Sequence, residues 1–131
     1  MFAATTAASS ETKGAPKVLV VDDEPTITDT LAAVLRNSGY TVKTAYNASA
    51  AIALAQEFAP DLVITDVVMP GMNGIEMAIR IRDLIPSCKI LLFSGQAATT
   101  DLLADAKLRG YDFELLLKPI HPTDLLARLR P

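Results

Sequence analysis

Four stretches of the chain run apolar for several residues and then stop at groups that can do chemistry. The run at 17–21 ends in Asp22 and Asp23, and the run at 62–65 ends in Asp66. The run at 89–93 ends in Ser94, and the run at 113–117 ends in Lys118. Taken singly, each has an ordinary explanation: Asp22 and Asp23 capping a helix, Asp66 and Ser94 forming turns, Lys118 a solvated lysine. Together they mean more. Three carboxylates in one crevice repel, at roughly 3 kcal/mol per pair for ~5 Å and an effective dielectric near 20. Such a cluster makes sense when it holds a cation. Hard oxygen ligands with open positions suit Mg²⁺, which keeps several waters and also accepts a phosphate oxygen. The Lys118 ammonium and the Ser94 hydroxyl would then hold the other oxygens of a phosphoryl group, with Asp66 as the nucleophile that forms an aspartyl-phosphate.

Convergence requires a particular scaffold. The apolar, β-branched runs read as strands buried on both faces, as in a parallel sheet. A shorter alternating stretch at 40–45 adds another strand, ending at Ala45 and Tyr46. Amphipathic segments lie between them. Pro25 opens one that carries Ile27, Leu31, Val34 and Leu35 at helical spacing and stops at Asn37-Ser38-Gly39. Asn47 can cap the next, with Ala51, Ile52, Ala55 and Phe58 on one face and Pro60 closing it. The third carries Ile75, Ala78, Ile79 and Arg82 and ends at Pro86. Thr99 or Thr100 can cap the fourth, which runs through Leu108 to Gly110. His121-Pro122-Thr123 starts the last, where Leu125, Leu126 and Leu129 face inward and His121 serves as a cap. Alternating strands and helices with short links predict a doubly wound α/β domain with a parallel sheet. Parallel strands bring their carboxyl ends to one edge, where ligands bind in such folds.

The 131 residues fit one domain with a flexible tail at 1–16 and the folded unit at 17–131. Half of the residues are hydrophobic and 21% are charged, so a filled core is available. Net charge is −3, with no basic run or basic helix face, which argues against direct nucleic-acid binding. No apolar run approaches the ~18 residues of a membrane span, and 1–15 lacks the basic start and apolar stretch of a signal peptide. The lone Cys88 has no disulfide partner and opens an apolar run, as a buried thiol in a reducing cytosol would. A cytoplasmic protein is expected.

Val-Asp-Asp-Glu-Pro at 21–25, Asp-Val-Val-Met-Pro-Gly-Met-Asn-Gly at 66–74, Ser94 and Lys118-Pro119 occur in an order and spacing that resembles the receiver domain of two-component response regulators. The resemblance covers 17–130. It implies a flavodoxin-like (βα)5 fold with strand order 2-1-3-4-5, and phosphoryl transfer to Asp66 from a histidine kinase or histidine phosphotransfer protein. It implies Mg²⁺ held by the Asp23 and Asp66 side chains and the Val68 backbone carbonyl, with Asp22 acting through water or orientation. It also implies a switch role for Ser94, a Lys118–phosphoryl pair, a cis Lys118–Pro119 bond, and a downstream protein partner on the face of the fourth helix, fifth strand and last helix. A monomer or weak dimer is expected, acting as a signalling domain rather than an enzyme.

Two features depart from that family. Leu115 stands three residues before the lysine, where the family usually has an aromatic ring, and the stretch from Gly110 to Lys118 is one residue longer than the common spacing. These predict an atypical switch, concentrated at 94–103 rather than at Leu115, with Tyr111 and Phe113 as the aromatics within reach. The competing reading is a receiver-like scaffold that never takes phosphate. The intact acidic trio and Lys118 oppose it. A flavin-binding domain of the same fold would need a hydroxyl- and glycine-rich loop where Asp-Asp-Glu stands. An aspartate-nucleophile phosphatase would need an acid where Val68 stands. Met69 and Met72 are expected to pack or face a partner.

Overall fold

In the computed structural model, residues 15–95, 99–118 and 121–129 are described. The strands are β1 (Lys17–Val21), β2 (Thr41–Ala45), β3 (Leu62–Asp66), β4 (Lys89–Ser94) and β5 (Glu114–Leu117). The helices are α1 (Pro25–Asn37), α2 (Ala48–Phe58), α3 (Gly74–Leu84), α4 (Thr99–Leu108) and α5 (Pro122–Leu129). Every pairing is parallel and the order across the sheet is β2-β1-β3-β4-β5, which is the predicted fold.

Strand alternation sorts the core into two layers. Val18, Val20, Ile64, Leu91 and Phe93 pack with Leu31, Ala32 and Leu35 of α1 and Leu125 of α5. Leu19, Val21, Val63 and Leu92 pack with Ala51 and Ala55 of α2 and with Ile75, Ala78 and Ile79 of α3. Because β1 and β3 lie inside the sheet with both faces covered, their residues from Val18 to Val21 and from Val63 to Asp66 are all buried.

Helix ends follow from side chains and backbone freedom. Asn47 accepts from the Ala50 N–H at 2.8 Å and Asn73 from the Glu76 N–H at 2.9 Å, each relieving an orphan donor of a first turn. Gly39 closes α1 at φ +97° and Gly110 closes α4 at φ +94°, where a side chain would be strained. Ala59 ends α2 at φ +50° despite its methyl group. The following Pro60 disfavours the right-handed helical region there.

The sequence pattern misplaces some details. Phe113 precedes β5 instead of opening it, and Tyr40 precedes β2. In α1 the core positions are Thr28, Leu31, Ala32 and Leu35, while Ile27 and Val34 are half-buried. Helix α3 also buries Met77 and Ile81, which a one-sided reading leaves out. The tail at 1–14, the side-chain cap expected of Thr99 or Thr100, and the Lys118–Pro119 bond lie outside the described residues.

Candidate functional site

The register explains why residues far apart in sequence meet. Val21 pairs with Thr65, which sets Asp22 beside Asp66 just past the ends of β1 and β3. Asp22, Asp66 and Lys118 continue the alternation of Val20, Ile64 and Leu116, so all three belong to the α1–α5 side. Ser94 continues the alternation of Leu92 instead. It is fully buried, and its carbonyl accepts from the Lys118 N–H at 2.9 Å, tying the two strand ends together.

The carboxylates of Asp22, Asp23 and Asp66 each place an oxygen within 4.8 Å of the others. Asp22 is 0% exposed and Asp66 5%, whereas Asp23 lies open to solvent. Lys118 Nζ stands 3.3 Å from Asp66 Oδ2 and 4.0 Å from Asp22 Oδ2. The ammonium also lies 5.2 Å from the centre of the buried Phe93 ring, which supports it from below. Asp66 Oδ1 accepts a long bond of 3.4 Å from the Val68 N–H.

Asp22 is the anomalous group. Its Oδ1 accepts from the Glu24 N–H at 2.9 Å, but its buried Oδ2 has no hydrogen-bond partner among the described residues, and Lys118 is too far to supply one. Burial pushes the Asp22 carboxyl up from 3.8 to about 6. The Glu24 amide and Lys118 oppose the shift, while the neighbouring Asp66 and Asp23 carboxyl groups add to it. A buried carboxylate oxygen without a donor, beside two further acids, suits a divalent cation with oxygen ligands and retained water.

Several supports of the site were not legible as functional residues. The hydroxyl of Thr28, on the buried face of α1, donates to the Asp22 carbonyl at 3.1 Å. The hydroxyl of Thr65, buried within β3, donates to the Asp66 carbonyl at 2.9 Å. The available signal was a threonine among aliphatic core positions.

Away from the acids, Leu115 is half-buried, pairs with Leu92 and packs on the α2–α3 side. The two nearby aromatics do not stand at the switch position. Tyr111 donates to Asp83 Oδ1 at 2.7 Å, and Phe113 lies under the Arg82 guanidinium at 5.3 Å, so both are engaged with the end of α3. His121 accepts from the Thr123 N–H through Nδ1 at 3.3 Å, as expected of a cap. Met69 is buried and Met72 packs against the same layer. Cys88 is buried as expected, and burial raises its thiol to about 11.

A flavodoxin-like sheet with an acidic trio and a lysine at its carboxyl edge defines the class, and sequence comparison agrees. The family described as "Response regulator receiver domain" matches residues 18–130, and the chain belongs to it. It is 35% identical over 113 residues to the probable transcriptional regulatory protein TcrX of Mycobacterium tuberculosis, covering 86% of this chain and 47% of TcrX. It is 32% identical over 114 residues to the DNA-binding response regulator MtrA of Mycolicibacterium smegmatis, covering 87% of this chain and 49% of MtrA. The chain thus spans about half the length of these curated relatives. Among solved structures, the Vibrio cholerae chemotaxis protein CheY4 superposes with a TM-score of 0.79 at 32% identity, covering 88% of this chain and 97% of CheY4.

The chain is therefore a signalling domain of two-component systems, whose receivers work with histidine kinases and bind Mg²⁺ at an acidic pocket. Among the described residues no helix is long and apolar enough to cross a membrane. The expectation that nucleic acid is no direct partner gains no support from relatives named as transcriptional and DNA-binding regulators.

Proposed function

We propose that this receiver accepts a phosphoryl group on Asp66 from the phosphohistidine of a histidine kinase or a histidine phosphotransfer protein, and that the resulting aspartyl-phosphate changes what the domain binds. The observation that carries the reading is the buried Asp66 carboxylate, 3.3 Å from the Lys118 ammonium and clustered with Asp22 and Asp23. An oxygen of Asp66 attacks phosphorus, the bond to the imidazole nitrogen breaks, and the imidazole leaves. Bound Mg²⁺ would neutralise the acid cluster and the phosphoryl oxygens. The side chains of Asp23 and Asp66 and the Val68 carbonyl would hold it, with Asp22 orienting its waters.

Lys118, 3.3 Å from Asp66, pairs in this reading with the charge that develops on the transferred group. Ser94 takes the switch role through its hydroxyl. The change is read on the surface of α4, β5 and α5, where Leu117 is 70% exposed and Leu102 40%. Without an aromatic ring at Leu115, and with Tyr111 and Phe113 held against α3, the response centres on 94–103. Incubation with acetyl phosphate and Mg²⁺ should give a single acid-labile Phos-tag shift that Asp66→Ala abolishes. Equal labelling of Asp66→Ala would overturn the assignment, and no shift in the parent protein would favour a phosphate-independent scaffold.

A further inference from the structure

A nucleophilic carboxylate is only as well placed as the backbone that carries it, and the backbone at Asp66 is unusually enclosed. The β1–β3 ladder ends at Val21–Thr65, one residue before Asp66. On the other side Asp66 pairs with Phe93, and the Val67 N–H donates to the Phe93 carbonyl at 3.2 Å. The Asp66 carbonyl itself takes the hydroxyl of Thr65 at 2.9 Å, a bond buried from water. The chain then turns through Pro70 and through Gly71 at φ +79°, and folds back on the acceptor. On its return the Gly74 N–H donates to the Val67 carbonyl at 2.8 Å. A Cβ at Gly74 would lie 2.0 Å from the Asp66 carbonyl oxygen, so no other residue fits there without moving the strand end.

We propose that Thr65, working with the absent side chain of Gly74, is a positioning residue for Asp66. Its hydroxyl holds the Asp66 carbonyl, and the start of α3 closes over that same oxygen. Rotating the peptide plane between Asp66 and Val67 would break the Thr65 bond, disturb the Val67–Phe93 bond and drive the carbonyl against Gly74. The plane is therefore held, and with it the direction in which the carboxylate leaves the backbone. Both carboxylate oxygens are then met at their far end, Oδ1 by the Val68 N–H and Oδ2 by Lys118. Small misplacements of a reacting group are costly, with about 1 Å worth as much as 10²-fold in rate. A valine would give Thr65 the same branched shape and fit the strand equally well. Only the hydroxyl separates the two. The inference rests on Asp66 being the acceptor.

The test compares the parent domain with Thr65→Val, Thr65→Ser and Gly74→Ala, using acetyl phosphate as donor and Mg²⁺ titrated calorimetrically. Thr65→Val should slow labelling about tenfold, with Mg²⁺ affinity within about twofold of the parent and a thermal midpoint lowered by the several degrees that loss of one buried hydrogen bond brings. Thr65→Ser should restore most of the rate, because it returns the donor without the methyl group. Gly74→Ala should slow labelling at least as much and also lower the midpoint. Since that variant can fail to fold, the deciding comparison is between Thr65→Val and Thr65→Ser. Parent-like labelling of Thr65→Val would overturn the proposal, as would a rate loss matched by lost Mg²⁺ affinity and not rescued by serine. A readout independent of phosphate is the NMR resonance of the Asp66 carboxyl carbon in the metal-free domain. It should shift in Thr65→Val and return in Thr65→Ser. An unmoved resonance in Thr65→Val refutes the positioning role, whereas a shift in Thr65→Val alongside a parent domain that takes no phosphate refutes only the acceptor assignment.

Discussion

The two edges of the sheet use the same residue types to opposite ends. At the amino edge Asp61 is exposed, its carboxylate accepts from the Lys17 N–H at 2.8 Å, and its own N–H donates to the Lys17 carbonyl at 2.8 Å. Lys17 and Lys43 hold their ammonium groups 5.7 and 5.6 Å from the centre of the Phe58 ring. At the carboxyl edge Asp22 is buried with one oxygen unpartnered among the described residues, beside Asp23, Asp66 and Lys118. The amino edge is arranged so that its charges are answered locally. The carboxyl edge holds charge that the described residues leave only partly answered, which is where folding stability has been given over to binding.

The largest effect should come from Asp22. Its folded value of about 6 lies above the ordinary 3.8, so the native state binds the proton more tightly than the unfolded chain. Stability from this group is therefore full below about pH 4 and falls as pH rises towards about 6, by on the order of 3 kcal/mol in the metal-free protein. Asp22→Asn should remove that decline and stabilise the metal-free domain at pH 7. Urea unfolding at several pH values checks it, and a variant no more stable than the parent at pH 7 would erase the contrast between the edges. Next in size, Mg²⁺ at a hundredfold excess over its dissociation constant should add about 2.7 kcal/mol. Asp23→Asn should blunt this gain, and indifference of the parent's melting temperature to Mg²⁺ would count against a metal site.

The amino edge should behave in the reverse way. Phe58→Ala removes a half-buried ring and should cost about 2 kcal/mol while leaving the rate of phosphate uptake unchanged. Loss of uptake in a folded Phe58→Ala domain would mean that the edges are not separable. Lys43→Ala should cost only about 0.5 kcal/mol, the usual worth of an exposed cation–π contact, and its effect should persist in high salt less than that of Phe58→Ala.

The sequence announced the carboxyl edge more clearly than its supports. Asp22, Asp23, Asp66 and Lys118 were legible because each interrupts an apolar run, and parallel topology leaves such groups only one place to meet. Asn47, Gly39 and Gly110 were legible because caps and left-handed turns demand particular residues. Thr28 and Thr65 were not, since a threonine in a strand or on a helix face reads as a tolerable core residue until its hydroxyl is seen to bond a carbonyl. The packing of Met77 and Ile81 was hidden because α3 is covered on more than one side, which a single apolar stripe does not encode. Tyr111 and Phe113 were named as stand-ins for the aromatic switch by their distance from Lys118. Their engagement with Asp83 and Arg82 depends on where α3 ends relative to β5, which is a matter of tertiary packing.

The central claim is that the carboxyl edge exists to make Asp66 a phosphate acceptor. Borohydride reduction tests it most directly, because it converts an aspartyl-phosphate to homoserine and marks the residue that carried the phosphate. After incubation with acetyl phosphate and Mg²⁺, peptide mass spectrometry should find homoserine at position 66 and at no other aspartate. Homoserine at position 22 or 23, or none at 66 under conditions that label a known receiver, would contradict the account.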